Sequence, residues 1–299
     1  MPSTLTWTDW QPLSLAEPPS AAVLAEVLDG GQAFRWSRAS DGVWQGAWSD
    51  CAVRLKPDES AGLWWSAPQA FAGAVAAELP RYFATTVDFR QRADSLPWRS
   101  DPHLARCLAA YRGLRLLRQP LGETLLCFLC SATKQIVQIR QMVELLARRH
   151  GREIVPGFPR LPTWAELAAV GEDELRSSLL GFRARYVRQT AQFLADRPGW
   201  LETIEQLPYA GAKERLRELP GVGEKIADCV LLFGAGRFEA FPVDVWIIKA
   251  MAERYGLAGW TPQQIARFGR VHFGSNAGLA QQYLFAWERA QAGRARTAP

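Results

Sequence analysis

Lys225 follows the turn Leu219-Pro220-Gly221-Val222-Gly223 and stands in the first turn of a helix expected to begin near Glu224. There the positive end of the helix disfavours a second positive charge, and partial burial acts in the same direction. Both favour a neutral amine. Such an amine can attack the sugar C1′ of a damaged nucleotide, expel the base and persist as a Schiff base. A phosphate-binding lysine fits the same spacing. What favours the nucleophile is Phe241-Pro242-Val243-Asp244-Val245, an apolar segment with one carboxylate nineteen residues further on. Asp244 could stabilise positive charge developing on the sugar, help orient Lys225, and cap the helix that follows; a cap alone remains open. Cys229 lies at i+4 from Lys225 on the same helix face, so a base held against it would bring its sugar near the amine.

The stretch Leu219–Asp228 reads as helix, hairpin, helix. Gly221 and Gly223 let the backbone turn tightly, and with Val222 they bring N–H groups to a helix N-terminus, where the macrodipole favours an anion. A phosphodiester fits. Contacts through backbone amides carry no base information, so the element should grip DNA at any sequence. The charge distribution agrees: residues 1–100 hold 8 basic against 11 acidic residues, while residues 101–299 hold 27 against 19. Only 5 of the 35 basic residues are lysine, which singles out any lysine within a motif.

Two kinds of element must position these groups. Eight of the thirteen tryptophans fall in the first hundred residues, among the short strand-like segments 33–36, 43–48, 52–55 and 62–65. Asp41-Gly42, Ser49-Asp50 and Pro57-Asp58 separate them as turns, which predicts antiparallel hairpins, with helices near 21–28 and 68–82. From about Asp101 the apolar period changes to three and four, through Leu104, Leu108 and Tyr111 and again through Ile136, Ile139, Val143 and Leu146, as on helix faces. Thr163 with Glu166 forms a capping-box signature, and further helices are expected at 187–194, 201–206 and 262–268. The expected fold is α+β: an antiparallel sheet domain with flanking helices over 1–105, an α-helical domain over 106–290 with its hairpin motif near 212–236, and a disordered tail over 291–299.

LPGVGEKIADC (219–229) and FPVDVW (241–246) together resemble the helix-hairpin-helix, Gly/Pro-Asp superfamily of base-excision DNA glycosylases. Three further stretches, GQAFRW (31–36), RGLRLLRQPLGETLLCFLCSATKQI (112–136) and LGFRARYV (180–187), are similar to its 8-oxoguanine branch. The resemblance implies a bifunctional enzyme: Lys225 attacks C1′, Asp244 stabilises the charged transition state, and β-elimination then nicks the strand. It implies a pocket for an extruded base. Cys229 would hold one face, Phe285 the other, Gln281 the Watson–Crick edge, and the Gly31 carbonyl would accept the N7 hydrogen that distinguishes 8-oxoguanine from guanine. From the residues alone, Gln281 and Phe285 read equally as helix packing.

On the opposite strand, the family's gap-filling asparagine and cytosine-reading arginine are matched here by Thr133 and Gln138. Arg183 is retained as the second cytosine-reading arginine, and Phe182 replaces a tyrosine while keeping a stacking face. These departures point to a looser preference for cytosine. Trp246 stands where a phosphate-binding histidine is common, leaving Lys249 one turn on as the substitute.

Several alternatives are excluded or weakened. No cysteine follows Cys229, so the iron–sulfur cluster of another branch of the superfamily is not expected. Cys127 and Cys130 have redox spacing but lie in an apolar helical run and read as core. The three histidines are dispersed, so no side-chain metal site is expected, although a structural cation could bind hairpin carbonyls at Leu219 and Val222. Glu224 and Asp228 flank Lys225 and read first as solvated or salt-bridged positions. With no apolar run of about 18 residues and no signal-peptide order, the expectation is a monomer in the bacterial cytoplasm, associated with the nucleoid, whose partner is duplex DNA and not a membrane. The rivals are a monofunctional alkylated-base glycosylase, against which Lys225 argues, and a non-catalytic DNA-binding protein.

Overall fold

The computed structural model describes residues 5–58 and 62–297, the last four by backbone alone. Five strands, β1 (Gln11–Leu13), β2 (Trp36–Arg38), β3 (Trp44–Trp48), β4 (Cys51–Asp58) and β5 (Gly62–Ser66), form an antiparallel sheet in the order β1-β5-β4-β3-β2. The turn between β3 and β4 is only two residues long. Trp48 pairs with Cys51, and Ser49 takes a φ of 46°, the left-handed conformation such a turn demands. Gly46 of β3 lets the Trp36 indole lie against the sheet, since a Cβ there would meet Trp36 Cε3 at 2.5 Å. The buried Trp36 donates to the Tyr82 hydroxyl at 2.9 Å and packs with Trp48 and Phe83.

Three outcomes here differ from expectation, the first being that Pro57 and Asp58, expected as a turn, continue β4 and pair with Leu63 and Gly62 of β5. The segment 33–36 is strand only from Trp36 onward, because Gly31 and its neighbours are drawn off into a loop toward the helical part. Strand β1 is too short to show alternation and is found through its pairing with β5.

Helices α1 (Ala21–Asp29) and α2 (Ala72–Tyr82) flank the sheet, and α3 (Phe89–Asp94) leads to α4 (Pro102–Ala110). The helical part continues with α5 (Leu121–Leu129) and α6 (Ile136–His150), then a hairpin of β6 (Glu153–Val155) and β7 (Phe158–Pro159) that the helical periodicity did not reveal. It goes on through α7 (Trp164–Ala168), α8 (Glu172–Leu175), α9 (Arg183–Ala195), α10 (Trp200–Gln206), α11 (Tyr209–Arg217), α12 (Glu224–Phe233), α13 (Val245–Arg254), α14 (Pro262–Phe273) and α15 (Ala277–Thr297). The capping box at Thr163 forms as expected: Glu166 N donates to Thr163 Oγ1 at 3.2 Å, and Thr163 N donates back to Glu166 at 2.6 Å.

The expected disordered tail is corrected as far as Thr297. Arginine and alanine are strong helix formers, and they extend α15 past Gln291; Ala298 and Pro299 lie outside the described residues. The core runs without a break from the sheet to α15, and α15 carries the chain back against α4 and α13. None of the described helices is long and apolar enough to cross a membrane.

Candidate active site

The hairpin forms between α11 and α12. Gly221 has a φ of +80°, and a Cβ on it would meet Tyr186 Cγ at 2.6 Å, so both backbone and packing require glycine. Gly223 is the N-cap of α12 and no side chain caps that end. A Cβ on Gly223 would enter open space, which leaves the first-turn amides facing outward for an anion. Val222 is a correction: its N–H donates to Leu219 O at 3.1 Å and its side chain is buried, so it shapes the hairpin from inside. The hairpin is tied to α9 by the Thr190 hydroxyl, which donates to Pro220 O at 3.3 Å.

Lys225 points from the start of α12 toward the end of α5. Its Nζ donates to Ser131 Oγ at 3.1 Å and lies 5.6 Å from the Phe128 ring centre. Asp244 is the N-cap of α13 and accepts from Trp246 N at 3.1 Å and Ile247 N at 3.0 Å. Burial raises its carboxyl above the ordinary carboxylate range, while those two amides and Lys225 pull the other way. Cys229 is buried, and burial pushes its thiol up to about 12 even with Lys225 beside it. The thiol is therefore a neutral wall.

Lys225, Cys229 and Asp244 line one cavity of about 940 Å³ together with Gly31, Thr133, Gln281 and Phe285. The sequence placed these residues far apart; the fold brings them together. Gly31 has a φ of +109°, and a Cβ on it would meet Ile136 Cδ1 at 2.9 Å. The residues on either side of Gly31 are pinned. Arg289 donates to Gly30 O and, at 2.9 Å, to Glu26. Buried Gln32 donates to Arg115 O at 3.0 Å and accepts from Leu117 N at 2.9 Å. Sequence reasoning missed Ser131, Arg289 and Gln282, although Arg289 falls at i+4 from Phe285 and i+8 from Gln281, a spacing that places all three on one face of α15.

Other expected residues lie elsewhere. Gln138 does not line the cavity, because it closes the N-terminus of α6, accepting from Gln135 N at 3.2 Å. Arg183 is 2% exposed and donates to Thr133 Oγ1 at 2.9 Å, to Leu180 O at 3.1 Å and to Ala132 O. Phe182 is 54% exposed beside Tyr186, and the Arg183 guanidinium lies 4.3 Å from its ring centre. Lys249 lies 3.6 Å from buried Glu288, so its charge is partly spent within the protein. Asp228 and Glu224 both hold Lys213, at 3.0 and 2.7 Å, and this makes them structural ion pairs. Cys127 and Cys130 are buried in the core, their thiols pushed up by burial, Cys130 to about 12.

Residues 14–125 match the family model described as the N-terminal domain of 8-oxoguanine DNA glycosylase. Along 92% of the chain, and 79% of the relative, the sequence is 30% identical to the N-glycosylase/DNA lyase OGG1 of Arabidopsis thaliana. The chain belongs to the 8-oxoguanine DNA glycosylase/lyase family. The 8-oxoguanine glycosylase/lyase of Clostridium acetobutylicum, solved in complex with double-stranded DNA containing cytosine opposite 8-oxoG, superposes with a TM-score of 0.83 at 29% identity, covering 90% of this chain and 92% of that one. The 3-methyladenine DNA glycosylase of Archaeoglobus fulgidus, at 20% identity and a TM-score of 0.74, shares the fold. Family membership thus accounts for both halves of the architecture, the tryptophan-rich sheet and the hairpin-bearing helices. The cavity lies where Gly31 of the first half meets α5, α12, α13 and α15 of the second.

Proposed function

We propose that this enzyme excises 8-oxoguanine from duplex DNA and cleaves the strand through the residues of the shared cavity. The observation that carries this reading is the meeting of Lys225 and Asp244 with Gly31, Gln281 and Phe285 around one space. The hairpin amides hold the backbone of the damaged strand, and the lesion base is extruded between Cys229 and Phe285. The Gly31 carbonyl accepts the N7 hydrogen of 8-oxoguanine. Guanine has a lone pair at N7, so two acceptors would face each other and the normal base is rejected.

The Lys225 amine, in its proton-free form, then forms a bond to C1′ while the bond from C1′ to the base breaks and its electrons leave with the base. Asp244 stabilises the positive charge that develops on the sugar. Opening of the sugar yields the imine between Lys225 and C1′. Loss of a C2′ proton expels the 3′ phosphate, and water releases the lysine. Hence borohydride traps a covalent complex on 8-oxoguanine duplexes, and Lys225→Gln abolishes it. Trapping that survives the substitution overturns the assignment.

Discrimination on the opposite strand is weak in this reading, because Arg183 is buried and turns its two terminal nitrogens to Leu180, Ala132 and Thr133, and Gln138 is committed to a helix end. Excision rates opposite the four bases should therefore fall within about tenfold of one another, at the low end of what one mismatched contact costs. A hundredfold preference for cytosine refutes this part alone. A cation held by the Leu219 and Val222 carbonyls would steady the hairpin against a phosphate, and exchanging potassium for tetramethylammonium at fixed ionic strength should then weaken DNA binding.

A further inference from the structure

Within the cavity, the Gln282 Nε2 amide donates to Gln281 Oε1 at 2.9 Å. Both side chains are buried, at 7% and 3% exposure, and both line the cavity. Consecutive residues on a helix point about 100° apart, so this bond is a local constraint between neighbours and not a link between elements. It leaves the two N–H groups of Gln281, which have no protein acceptor among the described residues, as the donors that this side chain offers the base. The Oε1 atom keeps one lone pair.

We infer that Gln282 is a positioning residue that fixes which way round the Gln281 amide faces, and so selects a purine with a carbonyl at C6 over one with an amino group there. The inference rests on the reading of Gln281 as the group that meets the Watson–Crick edge. A 6-oxopurine presents an acceptor at C6 beside the N1 hydrogen, and matches an amide with N–H toward C6 and C=O toward N1. A 6-aminopurine needs the amide reversed. Reversing Gln281 alone turns its N–H groups toward those of Gln282, donor against donor, and relief requires both amides to turn together. Among neutral side chains of this length glutamine alone offers this donor; leucine leaves Gln281 free to turn, and glutamate, an acceptor only, draws its N–H groups the wrong way.

The test compares single-turnover excision of 8-oxoguanine and 8-oxoadenine in the same duplex by the full-length protein and by Gln282→Leu, Gln282→Glu and Gln281→Ala, with the melting temperature of each. The ratio of the two rates should fall about tenfold in Gln282→Leu, the scale of one mispaired buried donor. In Gln282→Glu it should fall further, with 8-oxoadenine excision held or raised. A residue that merely supported the helix would lower both rates together. An unchanged ratio in both Gln282 variants, with Gln281→Ala impaired on 8-oxoguanine, overturns the positioning role and leaves the reading of Gln281 standing. Full 8-oxoguanine activity in Gln281→Ala overturns the reading itself.

Discussion

The Lys225 amine donates to the Ser131 hydroxyl at 3.1 Å, and that hydroxyl in turn donates to Phe128 O at 2.7 Å. The nucleophile of α12 is thus aimed by a turn at the end of α5, ninety-four residues earlier. Ser131→Ala removes the acceptor and leaves the amine free to turn. Loss of one such hydrogen bond is worth about 1 kcal/mol, so excision should slow about fivefold in single-turnover assays while borohydride trapping persists. A rate equal to that of the parent enzyme rules out the aiming role.

Asp244 combines two duties, capping α13 and facing the cavity, and Asp244→Asn separates them. Asparagine caps about as well as aspartate, so the loss of stability should stay within about 1 kcal/mol. The missing charge should slow excision by at least about a hundredfold, the scale of one electrostatic transition-state contact. Because burial raises the Asp244 carboxyl, the charged form needed for catalysis is lost as pH falls at values above those of an ordinary aspartate. The acid limb of the rate profile should accordingly lie above the usual carboxylate range in the parent enzyme and disappear in Asp244→Asn.

Local signals in the sequence are legible because they carry their own physics. The hairpin glycines, the Thr163 capping box and the apolar faces of α4 and α6 each announce themselves within ten or fifteen residues. The joining of Gly31 to α15 does not, for it depends on Arg289 and Gln32 reaching across more than eighty residues to backbone carbonyls. Gln138 misled for a related reason. Its place in the motif suggested a contact with DNA, whereas its own helix needed a partner for an unpaired amide. Strand β1 and the β6–β7 hairpin, each three residues or fewer per strand, are too short for alternation to register.

Glu26 holds Arg289 at 2.9 Å, yet its carboxyl is raised to about 7, with burial outweighing the attraction of Arg289. The native state therefore takes up a proton that the unfolded chain, titrating near 4.5, has already lost. Stability from this group falls as pH rises from about 4.5 through 7, and the destabilisation is complete above that. Glu26→Gln should flatten this slope and gain most relative to the parent at pH 8. Denaturant midpoints measured at pH 5 and pH 8 provide the check, and an equal shift at both values contradicts the assignment.

Gly221 and Gly223, two residues apart, should respond oppositely to alanine. At Gly221 the new methyl meets the Tyr186 ring and the positive φ disfavours any side chain, at about 1–2 kcal/mol for the backbone alone. Gly221→Ala should therefore lower the urea midpoint clearly. At Gly223 the methyl enters open space and φ is −92°, so stability should change by no more than about 1 kcal/mol. That open space is where a phosphate must approach the first-turn amides, and a methyl group there holds the anion away. Gly223→Ala should weaken binding to undamaged and lesion duplexes by similar factors, measured by fluorescence anisotropy, since backbone amides do not distinguish bases. A loss confined to the lesion duplex would place Gly223 in base recognition, contrary to the hairpin geometry.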